Sequence, residues 1–137
     1  MDIDGSDQTN ITNATGHDVS PSWSPDGDRI VFASNRDGRN QIYVIDADGS
    51  NETRLTNNSA SDTDPSWSPD GSSIAFVSNR DGQNQIYVMD KDGSNQVNRS
   101  SSSFFESDPS WSPDGSKITF VTSRDGNLEI YMMDADG

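Results

Sequence analysis

The 137-residue chain contains no cysteine, one histidine and only nine Lys and Arg residues. Without cysteine, neither a disulfide framework nor a thiolate metal site can form. With His17 alone, a repeated histidine–metal site is excluded within one chain, and a hydrolase triad has almost nothing to draw on. No apolar run approaches the ~18 residues that a membrane-spanning helix needs. The first residues show no basic-then-apolar leader. The nine cations face 23 acids, giving a formal charge of −14 that would repel nucleic-acid phosphates. Leu, Ile, Val and Phe together number only 23, a composition that by itself reads as disordered.

Arrangement overrules composition. Pro21-Ser22-Trp23-Ser24-Pro25-Asp26-Gly27 recurs at 65–71 and at 109–115, so Trp23, Trp67 and Trp111 stand 44 residues apart. A fixed period of that length, rich in short strand signals, marks a repeat architecture in which each unit buries its apolar face against the next. Between Pro21–Asn51 and Pro65–Asn95, 24 of 31 positions are identical.

The second copy illustrates one unit. A short strand is centred on Trp67, and Ser68-Pro69-Asp70-Gly71 makes a tight turn. Ser73 to Ser78 is a strand with apolar residues on both faces, as expected between two neighbouring sheets. Asn79-Arg80-Asp81-Gly82 turns the chain into a third strand, Gln85 to Asp90, and Asn95 to Arg99 reads as a weak, polar fourth. A four-stranded antiparallel meander of this length is a propeller blade. The expected fold is therefore all-β: a β-propeller with three blades per chain, forming one domain over residues 1–137.

Trp-Ser-Pro-Asp-Gly, then Ile-x-Phe, Arg-Asp-Gly and Ile-Tyr-x-Met-Asp-x-Asp-Gly resembles the repeat of TolB-like β-propellers over essentially the whole chain. The resemblance implies a six-bladed ring, a binding scaffold that engages protein partners, and a periplasmic or extracellular location. Similar blades also occur in the propeller parts of some peptidases and pectin-degrading lyases, so an enzyme portion lacking its catalytic part is the rival reading. Fold alone does not choose between them.

Residues 1–5 align with the third turn of each blade, and residues 7–12 with a fourth strand: Thr9 and Ile11 match Thr53 and Leu55. The third blade has only three strand signals. Three blades fall below the usual minimum of about four for a closed ring. The expected assembly is a homodimer of six blades, with the segment 7–12 donated to the partner's third blade. Thr9, Ile11, Ile130, Tyr131 and Met133 are its expected assembly residues. Ends that match the repeat register this closely are also what excision or engineering of a longer propeller would leave.

Loops between blades and the Arg-Asp-Gly turns should share one face. Phe104 and Phe105 break the repeat there and are expected either to contact a protein or glycan or to fold under the loop. His17, Asp64 and Asp108 belong to the same expected binding face. Asp18, Asp62 and Glu106 are equivalent positions that a ring would gather near its channel, and convergent carboxylates can hold calcium. Acids capping strand ends are the plainer reading. A calcium-dependent extracellular structural protein is therefore a third functional class. Asp46-x-Asp48-Gly49-Ser50-Asn51 lacks the distal glutamate of an EF-hand and reads as an Asx turn. Arg36, Arg80 and Arg124 are expected to pair with carboxylates of an adjacent blade. No catalytic residues are expected.

Overall fold

The computed structural model describes residues 6–137, so the turn expected at Met1–Gly5 lies outside them. The described residues form eleven strands and no helix. Blade 1 contains β1 (Asp18–Trp23), β2 (Arg29–Ser34), β3 (Gln41–Asp46) and β4 (Thr53–Arg54). Blade 2 contains β5 (Asp62–Trp67), β6 (Ser73–Ser78), β7 (Gln85–Asp90) and β8 (Val97–Asn98). Blade 3 stops at three strands: β9 (Glu106–Trp111), β10 (Lys117–Thr122) and β11 (Glu129–Asp134). Each sheet is an antiparallel meander in chain order. The all-β, three-bladed architecture follows the sequence expectation, down to the bounds of β6 and β7.

Turn chemistry sets the hairpins. In each Ser-Pro-Asp-Gly turn the glycine N–H donates to the serine carbonyl, at 2.9 Å for Gly27, Gly71 and Gly115. The serine hydroxyl donates to the aspartate, as Ser24 does to Asp26 and Ser112 to Asp114. Serine and backbone hydrogen bonds to the charged form hold the Asp114 carboxyl down at about 2. Asp46-x-Asp48 is the expected Asx turn: Ser50 N donates to Asp48 Oδ1 at 2.9 Å, and Asn51 Nδ2 to Asp46 Oδ2 at 2.7 Å.

The inner strands bulge. The β1–β2, β5–β6 and β9–β10 registers each slip by a residue, at Ser20, Asp64 and Asp108, all with φ of 50–54°. An extra residue in the left-handed region bends each inner strand.

The core consists of two seams. Val31, Ala33, Ile42 and Val44 of blade 1 pack on Trp67, Ile74, Phe76, Tyr87 and Met89 of blade 2. Ala75, Val77, Ile86 and Val88 of blade 2 pack on Ile118 and Phe120 of blade 3, with Trp111, Tyr131 and Met133 alongside. Each blade thus has a trailing face of β-branched and small residues and a leading face of aromatics. The two-residue period of a strand alternates them.

That alternation corrects part of the assembly set. Tyr131 and Met133 point back into the second seam of their own chain, whereas Ile130 and Met132 point outward. Residues 7–12 form no strand within the chain. Ile11 packs instead against Ile30, Phe32, Tyr43 and Ile45 on the leading face of blade 1, while Thr9 is exposed.

Candidate functional site

The loop face is built three times from the same parts. The turn after each second strand carries Arg-Asp-Gly, and its arginine lies over two aromatic rings of its blade. Arg36 lies 4.8 Å from the Tyr43 ring centroid, Arg80 lies 4.5 Å from Tyr87 and Arg124 lies 4.4 Å from Tyr131. Phe32, Phe76 and Phe120 form the other side of each stack at 5.5–5.7 Å. The guanidinium then reaches a carboxylate at the start of the inner strand. Arg36 meets Asp18 at 2.9 Å, Arg80 meets Asp62 at 3.3 Å and Arg124 meets Glu106 at 3.2 Å.

Those partners correct the expectation of inter-blade pairing. Each arginine and its acid stand 18 residues apart and belong to one blade. The hairpin places the Arg-Asp-Gly turn beside the start of its own inner strand, within reach of a side chain held flat on the rings. The candidate calcium ligands Asp18, Asp62 and Glu106 are therefore each matched to a guanidinium inside its own blade. Among the described residues no group of three His, Cys, Asp or Glu side chains stands ready to hold a metal ion.

Asp62 and Glu106 are fully buried. Asn58 Nδ2 adds a 2.7 Å bond to Asp62, and Ser102 Oγ a 2.7 Å bond to Glu106. Burial alone would raise the Asp18 carboxyl, but hydrogen bonds from Ser34, Arg36 and Thr12 outweigh it and hold the group below its usual range. The aspartate of each Arg-Asp-Gly turn is also committed: Tyr43, Tyr87 and Tyr131 donate to Asp37, Asp81 and Asp125.

This last contact predicts an alkaline transition. Burial first, and then the bond to a carboxylate, push Tyr43 and Tyr87 up to about 12 from an ordinary 10.0. A folded value above the unfolded one means that the unfolded chain loses its phenolic protons first. The stability from these two groups is therefore complete below pH 10.0 and is lost as pH rises toward about 12. A phenolate absorbance titration of the folded protein is expected to show two of its three tyrosines ionising near the upper value, with the melting temperature falling across that window. Ordinary ionisation of all three would show that the Tyr–Asp contacts are absent.

The other expected binding residues separate into two groups. Phe104 and Phe105, at 44% and 40% exposure, stand out from the loop between blades 2 and 3. His17 occupies the equivalent loop before blade 1, exposed, its backbone N–H held by Asn35 Oδ1 at 2.8 Å. Asp64 and Asp108 sit instead on the inner-strand bulges. Ser20 Oγ, at the same bulge position of blade 1, donates to Asp64 across the first seam at 3.0 Å. Thr63 and Ser107 hydroxyls donate to Asp64 and Asp108 from one residue back.

On the two end faces the sequence singles out Ile130 and Ile11 but not Trp23 or Met132. Trp23 is 59% exposed, against 6% for Trp67 in the same position of blade 2. It borders a cleft of about 370 Å³ with Ile11, Val19, Pro21 and Phe32. At the other end, Ile130 is 79% and Met132 61% exposed, whereas Ile42 and Ile86 are fully buried.

Comparison with known proteins agrees with this architecture. The model of the TolB beta propeller domain, PD40, matches residues 1–104. A putative TolB from Agrobacterium tumefaciens superposes with a TM-score of 0.85 at 33% identity, over 93% of this chain and 48% of that one. TolB from Acinetobacter baumannii gives 0.85 at 27% identity, over 96% and 33%. A Protein TolB homolog from Chlorobium luteolum is 42% identical over 43 residues, 31% of this chain and 10% of its own. The chain thus spans at most about half the length of these relatives. An oligogalacturonate lyase and a puromycin hydrolase, at 20% and 15% identity, share the fold alone. With three blades, their turn chemistry and the family match over most of its length, the chain belongs to the TolB β-propeller family.

Proposed function

We propose that this chain is a non-enzymatic, TolB-like scaffold that completes a propeller ring with a second copy of itself and offers its loop face to a protein or carbohydrate. The observation that carries this reading is the pair of bare end faces. Blade 3 presents Thr119, Val121, Ile130 and Met132 where blades 1 and 2 present the trailing sides of the two seams. Blade 1 leaves Trp23 and Val19 exposed where blades 2 and 3 present their leading sides, with Ile11 covering Ile30 and Phe32 beside them. Setting blade 3 of one copy on blade 1 of another repeats a contact each chain already makes twice.

Bare apolar faces next to an unpaired strand edge favour association. Two such seams per pair of chains fit the ~1,200–2,000 Å² of a standard stable interface. Six blades is also the number that the family resemblance implies, and a periplasmic or extracellular setting accords with it. The non-enzymatic part rests on committed side chains. The loop-face acids are neutralised by arginine or bonded to tyrosine, leaving the exposed Phe104 and Phe105 as the contact-forming groups.

Light scattering of the 137-residue chain is expected to give twice the 14.9 kDa of one chain. Ile130→Asp, at a position exposed in the single chain, should return it to one chain without loss of fold, because the carboxylate would be desolvated in the new seam. A folded wild-type particle of single-chain mass at tens of micromolar would end the self-assembly reading.

A further inference from the structure

Residues 7–12 lie on blade 1 as though a preceding blade were present. A Cβ on Gly49 would meet the Ile11 carbonyl at 3.0 Å. Gly93 meets the Leu55 carbonyl in the same way at 2.6 Å, and Gly137 the Arg99 carbonyl at 2.8 Å. Leu55 and Arg99 are the residues that follow β4 and β8. Ile11 therefore occupies, relative to blade 1, the place that the end of one blade takes on the next. The backbone leading into it agrees: Asp7 has φ 53°, matching Asn51 at 54° and Asn95 at 51°, the residues two before Thr53 and Val97. The segment is thus already shaped and placed as an outer strand, and β11 has no strand on its outer edge.

The two complete blades give the register. Tyr43 pairs with Arg54 and Val44 with Thr53, then Leu55 N donates to Ile42 O at 2.8 Å and Ile42 N to Thr56 Oγ1 at 2.9 Å. Blade 2 repeats this with Tyr87–Asn98 and Val88–Val97, Arg99 N to Ile86 O at 2.8 Å, and Ile86 N to Ser100 Oγ at 3.0 Å. Within one chain, blade 2 separates blade 1 from blade 3, and Ile11 anchors the segment on the face of blade 1 turned away from it.

We propose that residues 7–12 of each copy pair antiparallel with β11 of a second copy, Thr9 opposite Met132 and Asn10 opposite Tyr131, so that each chain supplies the fourth strand of the other's third blade. This rests on the self-assembly reading and goes beyond it, since end faces could meet without exchanging a strand. The Ile11 N–H then donates to the carbonyl of Ile130 in the second copy, and the Ile130 N–H to its Thr12 hydroxyl. One position departs from the pattern. Gln41 Oε1 accepts from the Thr56 hydroxyl and Asn58 N, while its Nε2 donates to the Asn58 and Ala60 carbonyls. Blade 3 carries Glu129 there. A carboxylate can accept as Gln41 does but cannot donate, so the Ala14 and Gly16 carbonyls, equivalent to those of Asn58 and Ala60 and just beyond the incoming segment, are left facing negative charge.

The experiment uses the full chain with Thr9→Cys and Met132→Cys, both exposed in the single chain and free of competing thiols. Oxidation is expected to give a closed covalent dimer on non-reducing gels, with peptide mapping locating 9–132 disulfides between chains, since directly opposed strand residues lie within disulfide reach. Glu129→Gln is expected to tighten the dimer roughly tenfold by restoring the missing donor. A two-chain particle in light scattering that never forms the 9–132 link would overturn strand exchange and leave self-assembly standing. A single-chain particle overturns both. An intrachain 9–132 link, or a ladder of ever longer covalent oligomers, overturns reciprocal exchange.

Discussion

Phe76→Ala is expected to cost about 3–5 kcal/mol, the range for removing a fully enclosed aromatic side chain. The ring is completely buried in the seam between blades 1 and 2, against Val31, Ala33, Ile42 and Val44. It also stands 5.7 Å from the Tyr87 ring and carries the Arg80 guanidinium at 5.5 Å. A domain of this size has roughly 5–15 kcal/mol in total, so the loss would leave it close to unfolding at physiological temperature. Phe104→Ala, at an exposed site, is expected to stay within about 0.5 kcal/mol. Urea unfolding of the two variants side by side provides the comparison. Equal, small losses would mean that the seam is not what holds the blades together.

Arg80→Ala ranks second, at about 3–5 kcal/mol, because it strands a buried charge. Asp62 is fully buried, and the bond from Asn58 would remain without the guanidinium that neutralises it. The same change removes the cation held 4.5 Å from the Tyr87 ring and the 2.7 Å bond to Gln96. Arg80→Lys should recover only part of the loss, since an ammonium neither stacks flat on the rings nor forks between Asp62 and Gln96. Asp62→Asn in the Arg80→Ala background should regain stability, because the uncompensated charge is then gone. Thermal melts of the wild type, Arg80→Ala, Asp62→Asn and the double variant form a double-mutant cycle. If Asp62→Asn brings no recovery, the cost belongs to lost packing over the rings and not to the stranded carboxylate.

These two residues also show where sequence reasoning reaches and where it stops. The 44-residue period, the Asp-Gly turns and the apolar runs at Ser73–Ser78 and Gln85–Asp90 place the strands, because strand and turn formation depend on neighbours in the chain. That Phe76 is core follows from the same pattern. The partner of Arg80 does not. Its candidate acids recur every 44 residues, and spacing alone cannot distinguish a carboxylate of its own blade from one on the next. The hairpin path settles it, by laying the guanidinium on Phe76 and Tyr87 beside Asp62.

The candidate binding residues divide in a similar way. Phe104 and Phe105 are legible as a break in the repeat, and exposure separates them from a buried plug. Tyr131 and Met133 look equivalent to Ile130 and Met132 in an apolar run. Pleating turns the first pair into the existing seam and the second pair outward.

From its sequence alone this protein had its fold class, its blade count, its turns and its family, since each is written locally and three times over. Only the tertiary structure decided which charges neutralise one another and which copies of a repeated residue stay uncovered. Trp23 and Trp67 sit in the same local motif, yet one is exposed and the other buried. The difference arises because burial depends on having a neighbouring blade, and no residue encodes that by itself.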